Sequence, residues 1–227
     1  MREPSSRASL VVREGRALAL QGRLIFQGLR RRPRRLGACE RVAVFVHGFM
    51  AAGPVFDPMR AHVERAAELP TVDFTYGPLA TFESIVERFA EHVERTVPRG
   101  ATISLVGHSL GGIVARWWLQ EQGGAERADR IVTLATPHAG TESARRWPGS
   151  IAAALRPGSP IITRLSRGRA SVAVPHVAIV AGADRLCMPP ESAAAVDDAE
   201  VHWLHDLGHN AMLYDARVHD LVARAMK

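Results

Sequence analysis

From Arg41 onward, short apolar runs alternate with patterns of helical period, and this alternation restricts what the chain can fold into more than any other feature. Residues 42–46 are apolar at every position, so a strand there is buried on both faces, as central strands of parallel sheets are. Residues 71–76, 103–106, 131–134, 177–181 and 201–204 read as further strands. Helical patterns fall at 54–69, 82–97, 113–122 and 210–226. In the second of these, Phe82, Ile85, Val86, Phe89, Val93 and Val97 fall on one stripe, the face that packs on a sheet. Strands alternating with crossover helices predict the α/β class: a mostly parallel central sheet flanked by helices. With 227 residues there is chain enough for one buried core, and one domain over 41–227 is expected behind a basic N-terminal extension, 1–40.

Charge sets that extension apart. Residues 1–35 hold ten Arg against Glu3 and Glu14, a net of +8; since the whole chain carries +6, the remainder sums to −2. Arg30, Arg31, Arg32, Arg34 and Arg35 beside the apolar run 24–26 leave room for a weak membrane-surface contact, while no nucleic-acid partner is expected. The N-terminus lacks the apolar core of a secretory signal: 10–12 is too short, and 18–29 is broken by Gln21, Gly22, Arg23 and Gln27. No stretch is apolar enough to span a bilayer. Cys39 and Cys187 read as two free thiols. The expected location is the cytoplasm, with the membrane surface as a possible periphery.

Gly107, His108, Ser109, Leu110 and Gly111 spell G-x-S-x-G between a buried strand and a helix, the context in which that motif carries meaning. A serine there sits on a sharp turn at a helix N-terminus, and glycines on either side keep side chains out of the neighbouring strand and helix. A serine hydroxyl is a weak nucleophile until a base takes its proton and an acid orients that base. The strand at 177–181 runs into Gly182, Ala183 and Asp184, which sets a carboxylate just past a strand's C-terminal end. Asp184 is therefore the candidate acid, with Asp197, Asp198 and Asp206 as competitors. Of the histidines that follow, His202 lies within the last strand and His219 deep in the last helix. His205 and His209 remain, and the loop Gly208, His209, Asn210 before a helix favours His209. Acyl transfer also needs donors for an oxyanion. The Leu110 N–H supplies one; the other is assigned to Phe49 in the loop His47, Gly48, Phe49, where Gly48 permits close approach.

Residues 44–49 (VFVHGF), 107–112 (GHSLGG) and 133–141 (TLATPHAGT) resemble the matching blocks of bacterial triacylglycerol lipases and related lipase-like α/β hydrolases. Asp184 within GADRLCMPPE and His209 within GHNAML are similar to that family's acid and base positions, so the resemblance covers about residues 41–215. It implies the α/β-hydrolase fold and a Ser109, Asp184, His209 triad acting on a small ester or lipid. Residues 142–171 are expected to form a small cap, shorter than the lids of large lipases, with Ile161 and Ile162 set against the acyl chain. Some relatives hold a structural calcium, but Asp197, Asp198 and Asp206 match no defined loop, and no cofactor or metal is expected.

The reading is a carboxylic ester hydrolase, esterase or lipase, working through an acyl-enzyme. Acyl transfer or thioester cleavage on the same fold is the alternative. A non-catalytic binding protein would be expected to lack Ser109, the histidine or Gly48, and all three are present.

Overall fold

The computed structural model describes residues 7–28, 36–168 and 173–227. Six strands form one sheet: β1 (Arg41–Val46), β2 (Thr71–Phe74), β3 (Thr102–His108), β4 (Ala128–Leu134), β5 (His176–Ala181) and β6 (Ala199–Leu204), in spatial order β2-β1-β3-β4-β5-β6. Every pairing is parallel. The order reverses direction at β1 and β3, and clefts on parallel sheets open beyond the strand ends at such a switch point. Val46 pairs with Gly107, and Gly107 with Thr133, so the ends of β1, β3 and β4 finish side by side.

Side chains on β1 show why the strand is apolar throughout. Val42, Val44 and Val46 join a core on one face of the sheet, with Ile85, Phe89 and Val93 of α3 (Phe82–Thr96) and Ile113 and Trp118 of α4 (Leu110–Glu121). Ala43 and Phe45 point the other way, to Met59 and Val63 of α2 (Asp57–Ala66) and Val218 and Val222 of α7 (Ala216–Ala225). Alternation sends successive Cβ atoms to opposite faces, and a sheet covered on both sides needs apolar residues at both parities.

Helix ends follow local chemistry. The Thr81 hydroxyl accepts from Ser84 N at 3.2 Å and starts α3. The expected helix over 210–226 is instead a 3-10 turn, Ala211–Tyr214, followed by α7, because the Asp215 carboxylate accepts from Arg217 N and caps a new helix there. Between β4 and β5 lie a 3-10 turn, Glu142–Arg146, then α5 (Ser150–Ala154) and α6 (Pro160–Gly168); residues 169–171 of the expected cap fall outside the described residues.

Residues Arg7–Gly28 form a helix, α1, that packs on the 3-10 turns Gly53–Phe56 and Ala211–Tyr214. Arg30, Arg31, Arg32, Arg34 and Arg35, on which the expected membrane contact rests, lie outside the described residues. Among the described residues no helix is long and apolar enough to cross a membrane.

Candidate active site

Ser109 stands between β3 and α4 with φ 53 and ψ −122, a backbone conformation that non-glycine residues rarely adopt. Such a conformation costs on the order of 1–3 kcal/mol and is held by its surroundings. Ser109 N donates to Leu134 O at 2.9 Å, and Gly112 N donates back to Ser109 O at 3.1 Å. The two motif glycines are steric necessities. A Cβ on Gly111 would lie 2.0 Å from Val46 O, and one on Gly107 would lie 2.5 Å from the Gly112 backbone. The sharp turn thus presses α4 against the end of β1 while lifting the serine side chain toward a cavity.

That cavity, of about 350 Å³, opens beyond the sheet and is lined by Ser109, His108, His209, Gly48 and Phe49 together with mainly apolar side chains. Asp184, immediately after the turn Gly182–Ala183 that ends β5, is buried and uses both carboxylate oxygens. Oδ1 accepts from Leu186 N at 2.7 Å and Cys187 N at 2.8 Å. Oδ2 takes the proton side of His209 Nδ1 at 2.7 Å. An ionised carboxylate is acceptor-only, so three donors suit it. With Nδ1–H fixed on Asp184, the free lone pair of His209 lies on Nε2, the tautomer a general base requires. Burial alone would depress the His209 pKa; the charge and hydrogen bond of Asp184, with Glu14 assisting, outweigh it and hold it above the ordinary histidine value.

His205 does not compete for this position. It sits just past β6 with its ring stacked on Trp203, centroids 5.5 Å apart, and Asp184 bonds His209 instead. Asp206, one of the alternative acids, is held by Arg13 and Arg217 on the surface.

The loop after β1 reaches the same point. A Cβ on Gly48 would be 3.1 Å from Ser109 Cβ, so any side chain at 48 would crowd Ser109. His47 is buried and neutral, its pKa pushed down to about 4 by burial. Its Nδ1–H donates to Gly48 O at 2.7 Å, and its Nε2 accepts from Tyr76 N at 3.2 Å. Tyr76 stacks on the ring and donates its hydroxyl to His47 O at 2.8 Å. Because a trans peptide sets C=O and N–H on opposite sides, fastening Gly48 O to His47 turns the Phe49 N–H away from that ring. Leu110, the first residue of α4, has an N–H with no intrahelical partner. These are the two amides assigned from the sequence to an oxyanion.

His108 stabilises the other side of the site. Its Nε2–H donates to His209 O at 3.0 Å, and burial holds the ring neutral, well below its ordinary pKa.

The connection after β4 supplies much of the apolar wall through Trp147, Ile151 and Leu155. Here one expectation is corrected. Ile162 is 4% exposed in the core shared with α4, and Ile161 packs against that core; neither lines the cavity. The α6 stripe turns to the sheet-facing helix, where Arg116 Nη2 donates to Leu165 O at 2.9 Å, so only the first half of the connection faces the pocket.

Three contributors went unseen in the sequence. Leu18 and Gln21 of α1 line the cavity, and Glu14 of the same helix binds the segment that follows His209.

Compared with known proteins, residues 79–147 match a family described as a PGAP1-like alpha/beta domain. The match includes Ser109 but stops before Asp184 and His209. Among curated proteins, no sequence matches the chain. Solved structures share the fold. Lipase B of Aspergillus fumigatus superposes with a TM-score of 0.69 at 16% identity, covering 82% of this chain and 52% of the lipase, so the chain spans about half of that protein. A mature lipase of Bacillus licheniformis gives 0.63 at 14% identity, covering 87% of this chain and 96% of its own. Carboxyl esterase 2 of the fungus Tuber melanosporum gives 0.59 at 14% identity, covering 85% and 80% respectively. The chain has the α/β-hydrolase fold, the fold of these lipases and esterases.

Proposed function

We propose that this chain is a serine hydrolase that cleaves carboxylic esters through an acyl-enzyme, with Ser109 as nucleophile, His209 as base and Asp184 as the acid that orients it. The observation that carries the reading is the buried Asp184 to His209 bond of 2.7 Å behind a cavity that His209 lines together with Ser109 on its strained turn. Ser109 Oγ attacks the ester carbonyl carbon while its proton passes to His209 Nε2. The resulting imidazolium is stabilised by Asp184, and the oxyanion by the N–H groups of Phe49 and Leu110, each donor typically worth about 2.7–4 kcal/mol in such reactions. Collapse of the tetrahedral adduct breaks the bond to the alcohol oxygen, which takes the proton from His209. Water then repeats the sequence on the acyl-Ser109 ester, releasing the acid and restoring the hydroxyl.

The wall of the cavity favours an apolar acyl group. Leu18, Phe49, Met50, Trp147 and Leu186 line it while remaining 43–68% exposed, an apolar rim continuous with the pocket. Exposed apolar area that runs into a concave site marks a ligand surface. A small ester or lipid substrate follows.

A fluorophosphonate probe tests the assignment. It should label Ser109 alone, read by intact mass and peptide mapping, and Ser109→Ala should abolish both labelling and p-nitrophenyl ester hydrolysis. Labelling that persists in Ser109→Ala would remove Ser109 from the role.

A further inference from the structure

We infer that Glu14, on the N-terminal helix α1, is a positioning residue for the histidine base: it grips the backbone immediately after His209 from a point 196 residues away in sequence. The inference rests on the reading of His209 given above.

Glu14 Oε1 accepts from Ala211 N at 2.9 Å and from Asn210 N at 3.1 Å. Oε2 accepts from Asn210 N at 3.2 Å and Asn210 Nδ2 at 3.1 Å. These amides open the 3-10 turn Ala211–Tyr214, whose N-cap residue, Asn210, provides no side-chain cap. Buried donors at a helix start need an acceptor, and a carboxylate is the strongest one available. Here the cap comes from another helix. Gln21, two turns further along α1, adds a bond from its Nε2 to Asn210 Oδ1 at 3.3 Å. The fit is close: a Cβ on Gly208 would be 2.3 Å from Glu14 Oε1.

The peptide group following His209 is thereby held at both ends. His108 Nε2–H fixes the His209 carbonyl at 3.0 Å, and Glu14 fixes the next two amides. With its backbone clamped between β3 and α1 and its Nδ1 bonded to Asp184, the His209 ring has little freedom left. Placement within about 0.5 Å is what proton transfer from a serine demands, and loss of 1 Å can cost on the order of a hundredfold in rate.

Charge follows the same geometry. Among the described residues, the titratable groups facing His209 are Asp184 from the loop after β5, His108 from β3, and Glu14 from α1; the carboxylates of Asp184 and Glu14 raise its pKa. His108, with ring centroids 4.6 Å from His209, is neutral. A hydrolase using neutral His209 gains activity as pH rises through that raised pKa. Removing the Glu14 charge lowers the pKa, so the acid limb moves to lower pH.

The experiment compares wild type, Glu14→Gln, Glu14→Ala and Arg13→Ala in the full chain. Arg13 tethers α1 to the Asp206 side chain and carbonyl at 3.3 Å, three residues before His209, without bonding Asn210 or Ala211, and serves as the helix-anchoring control. The readouts are the His209 imidazole titration by NMR, which needs no turnover, and the pH dependence of kcat/KM on p-nitrophenyl acetate. Glu14→Gln keeps the shape and is expected to lower the His209 midpoint, with the acid limb moving equally. Glu14→Ala is expected to lower kcat by about tenfold to a hundredfold with KM little changed. Arg13→Ala should leave both pH midpoints where wild type has them. If Glu14→Gln and Glu14→Ala lower only the melting temperature, with the His209 titration, acid limb and kcat unmoved, Glu14 is a structural cap and the inference is overturned. Absence of esterase activity in wild type would overturn the hydrolase reading instead, and the NMR titration would still report the Glu14 coupling.

Discussion

Replacing Asp184 by Asn changes one atom in the site and reverses the logic of the histidine. The carboxylate accepts bonds of 2.7 and 2.8 Å from Leu186 N and Cys187 N on Oδ1 and of 2.7 Å from His209 on Oδ2. An asparagine has one oxygen and one NH2, and must choose. With its oxygen on the two amides it keeps two bonds and points a donor at His209 Nδ1. Turned over, it keeps one bond and sets its NH2 against two backbone donors. A buried donor left unsatisfied costs about 1–3 kcal/mol, so the first orientation wins by roughly that amount. His209 then has to accept at Nδ1 and carry its proton on Nε2, the one nitrogen that must be empty to receive the Ser109 proton. The expected loss is about four decades in kcat, or about 5 kcal/mol in the barrier at 1.36 kcal/mol per decade. The assay is kcat for p-nitrophenyl butyrate, with melting temperature measured alongside to show that the loop bonds to Leu186 and Cys187 survive. A loss smaller than about tenfold in a folded protein would refute the tautomer argument and the role of Asp184 with it.

His209→Ala should lower kcat by about three decades or more and His205→Ala by less than about one, since only His209 bonds Asp184; steady-state kinetics on the same ester decide it, and the reverse pattern would move the base to His205. Trp147→Ala removes an exposed part of the cavity wall and should lower kcat/KM on palmitate esters by about tenfold or more while sparing acetate, whereas Ile162→Asn, in the core beneath, should depress the melting temperature and act alike on every chain length. A p-nitrophenyl series from acetate to palmitate separates these two outcomes.

Much of the architecture is visible in local sequence, because central parallel strands have to be apolar at every position and their helices amphipathic. The run at 42–46 and the stripe from Phe82 to Val97 mark β1 and α3 without ambiguity, and both are where expected. The nucleophile turn is marked by the spacing of its glycines, although only the clash at Gly107 is local, with Gly112 of the adjoining helix, while the one at Gly111 is with Val46 at the end of β1. The choice between His205 and His209 is different in kind. Both follow the last strand, and what separates them is the path of the chain after Leu204, which brings Leu207 back to donate toward the strand end and His209 under Asp184. The split of the closing helix at Asp215 was also hidden, since an Asp within a helical pattern reads equally as an exposed residue until its side chain is seen to accept from Arg217 N.

The helix α1 escaped for a reason that bears on its role. Its inward positions are Leu10, Glu14, Ala17, Gln21, Leu24 and Gly28, spaced by four, three, four, three and four, a regular helical stripe. Two members are polar and one is glycine, while Val11, Val12 and Phe26 lie off the stripe and are more than half exposed. A hydropathy reading therefore finds no apolar face, and only Ala17 and Gln21 are fully buried. Hydrophobic burial this slight is a weak reason for a 22-residue helix to dock. Ile25 and Gly28 pack it on the core and on Pro54, but its polar contacts are directed at one place: Glu14 and Gln21 on the segment after His209, and Arg13 on Asp206. A helix selected for stability alone would be expected to present leucines where Glu14 and Gln21 stand. One that positions a loop must match amide donors with acceptors, and the same polar stripe that conceals α1 from sequence reading is what suits it to hold His209.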